Sequence, residues 1–122
     1  MNQDLDALRA RVQREVDSFV YSVPDRAIGN PMSSDDVKRH VDELRASLVS
    51  PYVARIVLRD SADQIIANPP ITMECPIVAD DGTHLVFYDD SMEDFGLAQR
   101  DLADNLETIG VRGDVVGVFM AR

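Results

Sequence analysis

The sequence predicts an α+β fold, and three observations carry that reading. Apolar residues recur at three- and four-residue steps in the first fifty positions and again after Ser91. From Tyr52 to Arg59, Tyr52, Ala54, Ile56 and Leu58 alternate with Val53, Arg55, Val57 and Arg59, so one face is fully apolar. A turn-forming Asp80-Asp81-Gly82-Thr83 separates two apolar runs. The first pattern has the period of an amphipathic helix, the second that of a strand, and the third reads as a hairpin. The predicted order is α-α-β-β-β-α-β over residues 1–122 as one α+β domain. It gives a four-stranded, mainly antiparallel sheet with helices packed on one face.

The first helix follows from Leu5, Leu8, Val12, Val16, Phe19 and Val20, and it ends before Val23-Pro24, because the residue before a proline leaves the helical region. Pro24, Gly29-Asn30 and Pro31 mark residues 22–32 as a loop. Ser33 is placed to accept a free backbone N–H, with Asp36 at the reciprocal capping position. Val37, Val41, Leu44 and Leu48 form the apolar stripe of this second helix, and Ser50-Pro51 stops it.

The first strand is expected from Tyr52 to Arg59. Residues 60–70 carry no clear period, and Asn68-Pro69-Pro70 breaks the chain. Ile71–Ala79 and His84–Tyr88 are the two arms of the hairpin, with Gly82 supplying the positive φ of its turn. Pro76 implies an edge position or a bulge, since proline donates nothing to a ladder. A third helix is expected from Ser91, with Phe95, Ala98, Leu102, Leu106 and Ile109 as its stripe and Gly110 as its C-cap. The last strand, Asp114 to Met120, is apolar on both faces, which suits a central position.

The chain of 122 residues carries a formal net charge of −10, from 22 acids against 12 bases. This sign disfavours nucleic acid, which binds through phosphate neutralisation, and anionic membrane surfaces. No apolar run approaches the length of a membrane span and no signal peptide is evident, so a cytoplasmic location is expected. One cysteine excludes an internal disulfide. Acidity concentrates in the second half, above all in Asp80, Asp81, Asp89, Asp90, Glu93 and Asp94. Such a run commonly serves as a solvated face, and it also suits a basic partner or a hard cation.

Each chemical candidate carries a competing structural reading. Asp89, Asp90, Glu93 and Asp94 have the oxygen chemistry for Ca²⁺ or Mg²⁺, yet the EF-hand spacing is absent and acids favour helix N-termini. His40 and His84 are acid–base candidates 44 positions apart, without a local nucleophile. Cys75, beside Glu74, reads as a buried small hydrophobe. No nucleotide-binding glycine motif and no serine-hydrolase elbow is present. Arg9, Arg11 and Arg14 are explained by ion pairs along the first helix.

The expected function is a non-enzymatic protein-binding or regulatory module without a cofactor. It would meet a basic partner through Asp80, Asp81, Asp89, Asp90, Glu93 and Asp94. The alternatives are metal-assisted hydrolysis by the carboxylates of residues 89–94, and self-association through the N-terminal helix.

Overall fold

A computed structural model of the chain describes residues 4–20 and 33–122. The loop expected at 22–32 lies wholly outside them, as does Tyr21. The elements are α1 (Leu5–Asp17), α2 (Ser34–Ser47), β1 (Leu48–Val57), α3 (Ala62–Ile66), β2 (Thr72–Asp80), β3 (His84–Asp89), β4 (Asp94–Arg100), β5 (Leu106–Gly113) and α4 (Val115–Met120). The class is α+β as expected, but the sheet has five strands and closes into a barrel in the order β1-β2-β3-β4-β5.

The first half follows the sequence closely. Asp4 caps α1 through Ala7 N–H, and Ser33 caps α2 through Asp36 N–H. The strand β1 begins at Leu48, directly after α2, so Leu48 leaves the helical stripe and Pro51 sits inside a strand. The register with β2 is irregular between Leu48 and Tyr52, which accommodates that proline. The hairpin forms as expected, with Gly82 at φ 101° and its turn amides held by Asp80 and Asp81.

Two elements differ from expectation in the second half. The segment from Ser91 to Ile109 is no helix; it forms β4, a turn and the first half of β5. Phe95, Gly96, Leu97 and Ala98 are buried on both faces of β4, while Leu102 is fully exposed and Ile109 half exposed. The three- and four-residue spacing therefore does not define one buried stripe. Ser91 belongs to a turn on Asp89, and Gly110 bends β5 at φ 83°, donating to Asp60 rather than capping a helix.

The second difference is the final run. Val115–Met120 is a helix, not a strand, capped by Asp114 through Gly117 N–H. Val115, Val116, Val118 and Phe119 are all buried, so tertiary burial overrides the preference of β-branched residues for strands.

Five consecutive antiparallel strands leave the first and last running the same way, so closure between them is parallel. That seam pairs at one position, Val57 with Glu107. It is reinforced by Arg59 N–H on Thr108 Oγ1 at 2.6 Å and by Gly110 N–H on Asp60 Oδ1 at 2.9 Å.

Alternation along the strands divides the apolar residues into two cores. Ile56, Cys75, Ile77, Leu85, Phe87, Ala98 and Leu106 fill the barrel. Val78, Val86, Tyr88, Phe95 and Leu97 face outward and are covered by Leu8, Val12 and Val16 of α1, Leu44 of α2 and the whole of α4. The helices thus cover one wall of the barrel, and the stripe of α1 packs on the chain's own strands. No helix among the described residues is long and apolar enough to cross a membrane.

Gly96 is the tightest point of the inner core. It stands opposite Phe87 in the β3–β4 ladder, and a Cβ there would lie 2.2 Å from Phe87 Cζ. Gly96→Ala should destabilise the fold by about 1–3 kcal/mol, the usual range for overpacking. The companion Phe87→Leu change should make the two substitutions less costly together than their sum. Urea melts of the four species measure this, and strict additivity would show that the ring does not need the missing side chain.

Candidate functional site

The acidic run does not form one surface. Asp80 and Asp81 lie at the hairpin turn, whereas Asp89 and Asp94 pair at the far end of β3 and β4. The length of β3 separates the two groups by about 17 Å at an ordinary strand rise. Four of the six acids are held by arginines. Arg100 takes Asp80 at 2.7 Å and also binds Asp104. Arg122 takes Asp81 at 3.2 Å and also binds Glu43. Arg112 takes Asp89 at 2.9 Å, Asp94 at 3.2 Å and Asp60 at 2.9 Å. Asp90 and Glu93 are exposed and make no ion pair among the described residues.

Arg112 lies over the Phe87 ring, 5.0 Å from its centre, and plugs this mouth of the barrel. Its guanidinium occupies the space between Asp89 and Asp94 where a cation bound by both would sit. Among the described residues no group of three metal-ligating side chains converges. Asp89 is only 5% exposed. Burial opposes its ionisation, but the Ser91 hydroxyl at 2.6 Å, the Arg112 guanidinium and the Met92 N–H outweigh it and hold the carboxyl below its usual range.

The two histidines, far apart in sequence, join one chain of contacts. His40 approaches Glu43 at 3.9 Å, Arg122 bridges Glu43 and Asp81, and His84 approaches Asp81 at 4.0 Å. Arg122 also lies over Phe119 at 4.1 Å. The network fixes α2, the hairpin turn and the end of α4 together. None of its five side chains is a hydroxyl or a thiol. Cys75 is buried in the barrel, and desolvation, with the Asp89 charge behind it, pushes its thiol up to about 12. Such a thiol is protonated at neutral pH and is a poor nucleophile.

A wide slot lies beside Asp89 and Asp90. The β2–β3 ladder reaches from Asp80 only to Ile77, opposite Phe87, and is irregular between Ile77 and Ala79. Beyond Ile77 the two strands part and leave a slot of about 770 Å³. Its apolar lining comes from Leu5, Val53, Met73, Pro76 and Tyr88, and its charged lining from Glu74, Asp89 and Asp90. No arginine or lysine lines it.

Pro76 sits where the β3 side of its strand has no ladder partner, so the missing N–H leaves no gap in a ladder. The sequence expectation of an edge or a bulge at Pro76 identified this place, although β2 as a whole is an inner strand. Leu5, Val53, Met73 and Glu74 were not singled out by sequence; their convergence depends on strand register. No family model, curated protein or solved structure matches this chain.

Loss of the Arg112 clamp should expose its weight in the fold. Breaking a buried ion pair costs about 3–5 kcal/mol. Arg112 is 27% exposed, so solvent lowers the figure, and Arg112→Met should cost about 2–3 kcal/mol. The depressed Asp89 carboxyl stabilises the fold above the unfolded value near 4 and loses that contribution as pH falls through its lower folded value. Asp89→Asn should therefore be less stable at pH 7 and show a flatter loss below about pH 4. Coincident acid limbs in thermal melts of wild type and variant would remove Asp89 from this account.

Proposed function

We propose that the protein is a non-enzymatic binding module that receives a basic partner at the slot between β2 and β3. The observation that carries the reading is the lining of that slot: apolar residues from four elements under carboxylates of Glu74, Asp89 and Asp90, with no basic side chain among the described residues that line it. Arg112 holds Asp89 at 2.9 Å and Arg55 approaches Glu74 at 3.7 Å, so among the described residues the unpaired charge at this rim is that of Asp90; such a charge beside an apolar groove favours encounter with the opposite sign. Asp90 and Glu93 supply the accessible charge of the 80–94 run, since Asp80, Asp81, Asp89 and Asp94 hold arginines of the chain itself. The reading places the protein in the cytoplasm, where its single thiol stays reduced. It assigns no cofactor.

Affinity capture from the native lysate at low and high salt, with wild type beside the double variant Asp90→Lys/Glu93→Lys, tests the reading. Wild type should retain a basic protein at low salt and release it at high salt, and the variant should retain at least tenfold less. Equal retention by the two proteins overturns it.

A further inference from the structure

The slot also leaves backbone groups of β2 without partners, and these point to the form its occupant takes. Leu58 N–H donates to Ile71 O at 2.8 Å, so Ile71, Met73 and Cys75 direct their backbone groups at β1. By alternation, Thr72, Glu74 and Pro76 direct theirs into the slot. The β2–β3 ladder stops at Ile77, so among the described residues no strand lies beside this edge over about 14 Å. Thr72 and Glu74 each offer an N–H and a C=O, and Pro76 a C=O alone, a set that another extended backbone can match.

We infer that the occupant is an extended peptide segment that adds to the free edge of β2, with a basic residue opposite Glu74 and an apolar residue two positions away opposite Pro76. The inference rests on the proposed reading of the slot as a site for a basic partner. The side-chain pattern follows from the pleat. Glu74 and Pro76 lie on one face, where Arg55 and Val53 already stand opposite them on the β1 side. Arg55 approaches Glu74 at 3.7 Å, leaving one side of that carboxylate toward the slot. A strand on the slot side repeats this pairing: a cation beside Glu74 and Asp90, and an apolar side chain near Tyr88 and Leu5. The residue between them faces Cys75 and is small.

A labelled peptide of sequence Lys-Ala-Val-Ala-Lys-Ala-Val, capped at both ends, is the probe, with binding read by fluorescence anisotropy. Two further peptides carry N-methyl groups on alternate residues, one on the Lys and Val positions and the other on the Ala positions, so that each blocks one edge. Wild type should bind the unmethylated peptide in a salt-dependent way. One methylated peptide should lose at least tenfold more affinity than the other, because only one edge faces β2. Glu74→Lys and Asp90→Lys should each weaken binding at least fivefold, while Asp42→Lys, an equal charge change on the exposed surface of α2, should leave it unchanged.

Equal binding of both methylated peptides, still weakened by Asp90→Lys, overturns strand addition and leaves the basic-partner reading standing. Binding indifferent to Glu74→Lys and Asp90→Lys overturns both. Absence of binding at millimolar peptide overturns strand addition, and the capture experiment then decides the parent reading separately.

Discussion

The contact of Arg112 with Asp60, Asp89 and Asp94 holds together a barrel that its own backbone closes weakly. An odd number of meandering strands forces a parallel seam, and here that seam has one ladder position. Asp60 follows β1, Arg112 lies on β5, and Asp89 and Asp94 end β3 and open β4. One guanidinium thus reaches four segments of the barrel at a single mouth. Its five donors in a planar fork allow this, and a lysine would supply a point charge without that geometry. The ring of Phe87 beneath it joins the plug to the inner core, and Gly96 makes room for the ring.

That plug also shapes the slot. With Asp89 drawn toward Arg112, the end of β3 follows β4 rather than β2. The β2–β3 ladder stops at Ile77, and Pro76 marks the place. The end of the β2–β3 ladder and the Arg112 ion pairs thus lie at the same mouth of the barrel.

The net charge of −10 conceals a local economy of opposite charges. Arg100, Arg112 and Arg122 each hold two or more carboxylates at different corners of the fold. Composition registers this as an acidic second half. The distribution differs: most of the run is internally matched, and the unmatched charge collects at Asp90 and Glu93. The same principle unites His40 with His84, which sequence separation kept apart.

Sequence by itself determined the α+β class, the first two helices with the cap Ser33, the Asp80–Thr83 hairpin and the anomaly at Pro76. These rest on local chemistry: helical period, capping side chains, turn residues and the missing proline N–H. Tertiary structure alone decided that Phe95–Ala98 is a strand, that Val115–Met120 is a helix, and that five strands close on themselves. In both segments the residues are apolar on every side, so periodicity fits either element and the surrounding layers choose between them. The slot was legible only at Pro76, Asp89 and Asp90. Its remaining walls come from Leu5, Val53 and Tyr88, residues brought together by register and helix packing, which no local pattern encodes.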